Sequence, residues 1–178
     1  DSVYNGLVAA MAVLEADDWM LVHDAARPCL PAKDLDNLMR ELEGDEVGGI
    51  LALPVVDTLK KVSANRIQST EERAQFWLAQ TPQMFRLGML IEALDRAGET
   101  VTDEASAIEA QGHSPLLVPG DADNFKLTWP EDFERAQRVL RSNDSVWLVG
   151  PLQERFDEFR DRVGDLDREA RVAEAAVT

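Results

Sequence analysis

The feature that most constrains the fold of this chain is the order of its periodicities. Short apolar runs alternate with stretches in which apolar residues recur every three or four positions. Trp19-Met20-Leu21-Val22, Val47 to Leu53 and Leu116-Leu117-Val118 are short and apolar on both alternating sets of positions, as strands covered on both faces are. Leu7, Ala10, Met11 and Leu14 precede the first run at helical spacing. Leu35, Leu38, Met39 and Leu42 follow it, and Leu87, Leu90, Ile91 and Leu94 precede the last. Strands alternating with helices predict an α/β domain: a mostly parallel, doubly covered sheet with helices on both faces.

The helix boundaries carry their own signals. Asp34 is the expected N-cap of the second helix, with Gly44 as its stop, and Gly98 closes the third. Thr102-Asp103-Glu104 begins a further helix that ends near Gly112. Asn124 to Thr128 reads as a possible extra strand. Thr128 with Glu131 fits a capping box for a helix carrying Phe133, Ala136 and Leu140.

Between Pro54 and about Gln80 the character changes. Val55, Val56, Leu59 and Val62 mix with charges, and a turn-like Ser63-Ala64-Asn65 leads into Arg66-Ile67-Gln68-Ser69-Thr70. This reads as a protruding β-arm over residues 54–80. Alone it would bury little, so it is expected to pack on another surface, and a homodimer through the arm is the natural expectation. Residues 143–178 form a C-terminal extension. There Leu152, Phe156, Phe159, Val163, Leu166, Ala170 and Ala173 step by fours and threes, as an amphipathic helix would, although Gly164 weakens it.

Charge narrows the partners. With 18 Lys and Arg against 34 Asp and Glu, the formal net charge is −16, so nucleic acid and anionic membranes are repelled over the whole surface. No apolar run approaches the length of a membrane span, and no secretory leader pattern opens these residues. Cys29 is the only cysteine, which excludes an internal disulfide or a multi-thiolate metal site and fits a cytoplasmic protein. An anionic small molecule needs only a few local cations. Arg27, Lys60, Lys61, Arg66, Arg73 and Lys126 fall in or beside loop-like or strand-like stretches, where binding groups tend to sit.

Some of these cations sit beside acids and hydroxyls. His23-Asp24-Ala25-Ala26-Arg27-Pro28 follows a buried strand, at the edge of an open sheet where ligands bind. An Asp there can hold a divalent cation bridging phosphates, and an Arg can grip phosphate through two parallel hydrogen bonds. Equally, Asp24 and Arg27 can pair with each other in a tight turn. Asp57-Thr58-Leu59-Lys60, Arg73 with Trp77, Thr81-Pro82-Gln83, Thr102 to Ser106 and Asn124 to Thr128 add hydroxyls, acids and a loop lysine. Singly, each is explained as turn and cap chemistry.

Together and in order, the segments Ser2-Val3-x-x-Gly6-Leu7, HDAARP, DT-x-K, R-x-x-x-W-x-x-x-TPQ, TDEAS and N-x-K-x-T-x-PED resemble the 2-C-methyl-D-erythritol 4-phosphate cytidylyltransferases. The resemblance runs over about Asp1 to Leu140, within a domain read as residues 1–142. It implies a Rossmann-like nucleotidyltransferase fold and transfer of a cytidylyl group from CTP to methylerythritol phosphate, with release of pyrophosphate, in isoprenoid precursor synthesis. It also implies Mg2+ or another divalent cation as cofactor, and a homodimer.

By the same resemblance Ser2, Asp24 and Ala25 would hold the nucleotide, and Asp24 would meet the metal. Asp24, Arg27, Thr58, Arg73, Thr81, Thr102 and Lys126 would hold the sugar-alcohol phosphate. Lys126 and Arg73 would be catalytic, with Thr58 and Arg73 reaching across a dimer. The family opens with a strand and a Gly-rich, cation-bearing loop that cradles the triphosphate, and that loop is not among these 178 residues. Tested alone, they are therefore expected to be inactive or nearly so. A ribitol 5-phosphate cytidylyltransferase, with similar motifs, and a non-catalytic oligomerising scaffold remain alternatives.

Overall fold

The computed structural model describes residues 2–97 and 101–142. The anticipated end of the third helix at Gly98, the strand-like stretch Ser145 to Val149 and the apolar stripe of the C-terminal extension lie outside these residues.

A four-stranded sheet in the order β1-β5-β2-β6 forms the centre: β1 (Trp19–Val22), β2 (Gly48–Pro54), β5 (Trp77–Arg86) and β6 (Leu116–Pro119). β5 is antiparallel to both β1 and β2, and β2 is parallel to β6. Three strands therefore run one way and β5 alone runs against them, which keeps the mostly parallel, mixed α/β architecture. β5 is the element that local pattern hides. It begins inside the stretch assigned to the arm, and Thr81-Pro82-Gln83, read as a turn, is mid-strand. Proline is tolerated there because the β2–β5 register slips between Ile50 and Ala52, so Pro82 sits at a break in the ladder.

Side chains alternate across the sheet with period two. Met20, Ile50, Ala52 and Phe85 enter one apolar cluster. There they meet Leu7 and Ala10 of α1 (Ser2–Ala10), Leu87 and Leu90 of α3 (Leu87–Ala97), and Ala107 and Ile108 of α4 (Glu104–Ala110). Trp19, Leu51, Met84 and Val118 enter the other, against Leu35, Leu38, Met39 and Leu42 of α2 (Ala32–Leu42). Each large side chain buried this way stabilises the fold by about 1.5–3 kcal/mol. Helices thus cover both faces, as their spacing predicts.

Asp34 is not an N-cap. α2 starts two residues earlier behind Pro31, whose fixed φ suits a helix entrance, and Asp34 lies in the first turn, only 3% exposed. Its Oδ2 has no hydrogen-bond partner among the described residues. Burial, with Asp121 nearby, raises its carboxyl to about 6. Between the ordinary carboxylate value and about pH 6 the folded state holds the extra proton, so this group's contribution to stability falls as pH rises through that window. Asp34→Asn is therefore expected to stabilise the chain by on the order of 1 kcal/mol near pH 7 and by nothing near pH 3.5. Urea unfolding at both pH values reads the difference.

β3 (Leu59–Ser63) and β4 (Arg66–Glu71) pair as a separate two-stranded sheet. Ala64 and Asn65 both take positive φ (47 and 60), the combination a two-residue hairpin turn demands. The hairpin is the expected arm. Val56, Val62 and Ile67 on it are 73%, 56% and 65% exposed, far above anything a finished core would leave in water.

Asn124 to Thr128 is not a strand. Its backbone runs irregularly beside the loop after β1, with Leu127 N donating to Ala26 O at 2.7 Å. Nor do Thr128 and Glu131 cap α5 (Pro130–Ser142). Asp132 Oδ2 accepts from both Thr128 N and Trp129 N at 2.8 Å, while the Thr128 hydroxyl donates to Lys126 O. α5 buries Ala136 and leaves Phe133 59% exposed, so that residue is not core. Among the described residues no helix is long and apolar enough to cross a membrane.

Candidate functional site

A cleft of about 530 Å³ opens where β1 ends, between the loop after β1, the middle of β5 and the start of α4. Asp24, Ala25, Arg27, Thr81, Thr102 and Lys126 all line it, together with Val3 and Leu7 of α1. Six positions proposed from sequence, spread over 103 residues of chain, therefore share one cavity. Ser2 is the first residue of the helix that forms its apolar wall.

The loop after β1 is wound by its own polar groups. Asp24 Oδ1 accepts from Ala26 N at 2.9 Å, and Asp24 O accepts from Arg27 N at 2.8 Å, an Asx-type turn that leaves the other carboxylate oxygen facing the cleft. Asp24 does not pair with Arg27 side chain to side chain. The Arg27 guanidinium donates instead to Asn124 O at 2.7 Å and to Ala79 O at 3.4 Å. Asp24 Oδ2 meets Lys126 Nζ at 2.7 Å.

Lys126 is held there by the segment that carries it. Asn124, with no exposed surface, donates from Nδ2 to Thr81 O at 2.7 Å, and its carbonyl accepts from Gln80 Nε2 at 3.1 Å. The buried carboxamides of Gln80 and Asn124 thus tie the lysine's loop to β5. On the opposite wall Gln83 bridges the strand to α4, donating to Asp103 Oδ2 at 2.9 Å and accepting from Ala105 N at 2.8 Å. Asp103 and Ser106 close a capping box that fixes the turn bearing Thr102.

Electrostatics favour anions at the Lys126 end and resist more carboxylates at the other. Burial pushes Asp24 up, but the Lys126 hydrogen bond, the Ala26 N–H and the nearby charges of Lys126 and Arg27 outweigh it, so the carboxyl stays below its ordinary range. Burial, with Asp103 and Asp24 nearby, raises Glu104. Burial lowers His23, which favours the neutral ring. Lys126 spends one of its three donors on Asp24 and is 55% exposed at the side chain, so it can turn to a bound phosphate.

Two sequence candidates are elsewhere. Thr58 and Arg73 are exposed on the arm and line no part of this cleft; the Arg73 guanidinium donates to the carbonyl of Val56. Four lining or supporting residues were not singled out from sequence: His23, Gln80, Gln83 and Asn124. His23 sits inside the HDAARP segment. The two glutamines would have been candidates had β5 been read as a strand, since buried glutamines in a strand require partners.

Residues 1–142 match the family described as IspD: 2-C-methyl-D-erythritol 4-phosphate cytidylyltransferase. A protein of that name from Laribacter hongkongensis is 60% identical over 142 residues, covering 79% of this chain and 61% of that relative. One from Dechloromonas aromatica is 57% identical over 143 residues, covering 80% and 62%. The crystal structure of 2-C-methyl-D-erythritol 4-phosphate cytidylyltransferase (IspD) from Francisella tularensis superimposes with a TM-score of 0.70 at 39% identity, covering 77% of this chain and 65% of that one. The chain spans about three fifths of the length of the relatives it matches. A match over four fifths of the chain, reached independently through sequence and fold, decides the assignment: the chain belongs to the 2-C-methyl-D-erythritol 4-phosphate cytidylyltransferase family.

Proposed function

We propose that this chain supplies the polyol-phosphate half of a cytidylyltransferase site, and that the whole enzyme transfers a cytidylyl group from CTP to 2-C-methyl-D-erythritol 4-phosphate. The observation that carries the reading is the convergence of Lys126, Arg27, Thr81 and Thr102 around Asp24 in one cleft. In this reading Lys126 draws the substrate phosphate into position, and Arg27 and the two threonines hold the polyol. In the same reading Ser2 and Ala25 serve the nucleotide. The phosphate oxygen attacks the α-phosphorus of CTP and pyrophosphate leaves, so positioning and charge stabilisation, rather than an enzyme nucleophile, supply the rate.

Asp24 suits a Mg2+ site built on a single carboxylate. Magnesium is commonly held by one or two carboxylates with phosphates and water, and each Asp24 oxygen spends only one lone-pair direction on its present partner. The ion would neutralise charge on the phosphates of CTP. The single free cysteine, Cys29, supports a cytoplasmic location.

The exposed apolar residues of the arm support a homodimer in which Thr58 and Arg73 serve the neighbouring subunit's cleft. Mixing an Arg73→Ala enzyme with a Lys126→Met enzyme tests this. Each is expected to be inactive alone, and a random mixture would regain roughly a quarter of wild-type activity, because half the dimers then carry one intact site of two. No regain would contradict a shared site. Substrate class is tested by calorimetric titration of this chain with methylerythritol 4-phosphate and with ribitol 5-phosphate: tighter binding of the first is expected, and preference for the second would reassign the substrate.

A further inference from the structure

The cleft contains a proton arrangement that the proposed substrate contacts leave unexplained. His23 Nε2 lies 3.0 Å from Arg27 O, and its Nδ1 lies 3.0 Å from Thr81 Oγ1. A carbonyl oxygen can only accept, so in the neutral ring the single N–H belongs on Nε2. Nδ1 is then a bare acceptor, and the bond to Thr81 requires the threonine to donate. Thr81 Oγ1 also accepts from Asp24 N at 2.9 Å. The carbonyl of Thr81 also faces the ring and receives Asn124 Nδ2 at 2.7 Å; as an acceptor only, it supplies Nδ1 with no hydrogen.

A hydroxyl has one hydrogen and two lone pairs. Here the hydrogen goes to His23 and one lone pair to Asp24 N, so a single lone pair is left to face the cleft. We infer that His23 is a positioning residue that fixes the polarity of Thr81, making it an acceptor that selects a ligand hydroxyl able to donate. The inference rests on the polyol-phosphate reading of the cleft and adds to it a rule of selection. A ligand hydroxyl meets a matched partner at Thr81. An acceptor-only group in the same place, such as a phosphate oxygen or a C–F bond, meets a lone pair.

Two substitutions separate the two bonds of the ring. Asn at position 23 can place its carbonyl oxygen where Nδ1 stands, keeping Thr81 as acceptor while losing the bond to Arg27 O. Gln can place its amide N–H where Nε2 stands, keeping that bond while freeing the Thr81 hydrogen to turn toward the ligand. The experiment titrates this chain, His23→Asn and His23→Gln with methylerythritol 4-phosphate and with analogues carrying fluorine at each free hydroxyl in turn. One fluorinated analogue is expected to lose about tenfold in affinity for wild type and His23→Asn, and markedly less for His23→Gln. The Thr81→Ser protein should keep the wild-type pattern.

Nitrogen-15 spectra of the wild-type imidazole read the tautomer without any variant or ligand, and should show Nε2 protonated. A proton on Nδ1, or the same fluorine penalty in both His23 variants, would overturn the inference. Failure of wild type to bind methylerythritol 4-phosphate at all would count against the assigned substrate, while the spectrum still judges the proton arrangement separately.

Discussion

Replacing Lys126 by methionine in the whole enzyme is expected to lower kcat/KM for the polyol phosphate by about 10³-fold, with little change in KM for CTP. Methionine keeps the length of the side chain and removes the charge. Lys126 is the cation whose ammonium stands free enough to leave its protein partner for a ligand: it is paired at 2.7 Å with Asp24 yet more than half exposed, whereas Arg27 is committed to two backbone carbonyls. The same substitution removes the first of the influences that hold Asp24 low, so its carboxyl should climb toward the ordinary range. The acid limb of the pH–rate profile is then expected to move to higher pH. A change below tenfold, with an unmoved acid limb, would show that Lys126 is a surface ion pair and nothing more. Exposed ion pairs contribute only about 0–1 kcal/mol to stability, so unfolding should barely register the loss.

The second large effect concerns the fold that delivers these groups. Gly48→Ala is expected to destabilise the chain by about 3 kcal/mol or more. Gly48 opens β2 at φ +110, and an added Cβ would stand 2.3 Å from Met84 O and 2.7 Å from Phe85 Cδ1. Both neighbours belong to β5, one facing each apolar cluster, so neither can retreat without opening a core. Gly44→Ala is the control. Among the described residues, chain neighbours aside, no atom lies within 4 Å of its added Cβ, and a change within about 0.5 kcal/mol is expected. Urea midpoints of the two variants report the contrast directly.

What was legible in the sequence was local. The apolar run at 19–22, the helical spacing of Leu35 to Leu42 and the turn residues at 64 and 65 each carry their structure within a few positions, and each formed as read. β5 did not announce itself, because Gln80, Pro82 and Gln83 break the apolar pattern. The burial of the two glutamines is made possible by partners far along the chain: Asn124, Asp121, Asp103 and Ala105. Asn124 to Thr128 failed for the opposite reason. Phe125 and Leu127 alternate as a strand would, but the segment's backbone bonds go to the loop after β1 rather than to a ladder.

The site divides the same way. HDAARP could be placed at a sheet edge from the strand before it, and its Asp24 was found there. That Lys126 would meet Asp24, across 101 intervening positions, is information no spacing contains; only the ordered resemblance to a family suggested it. Thr58 and Arg73 stayed apart from the cleft because the chain that carries them folds away as an arm.

On the proposed reading, these residues form the polyol-phosphate half of a cytidylyltransferase. The most direct test is pyrophosphate release from CTP and methylerythritol 4-phosphate with Mg2+, measured for this chain alone and for the chain joined to the parts of the Laribacter hongkongensis relative that it does not cover. Turnover by the joined protein, abolished by Lys126→Met, is the expected result. A folded joined protein that binds CTP but releases no pyrophosphate with either methylerythritol or ribitol phosphate would contradict it.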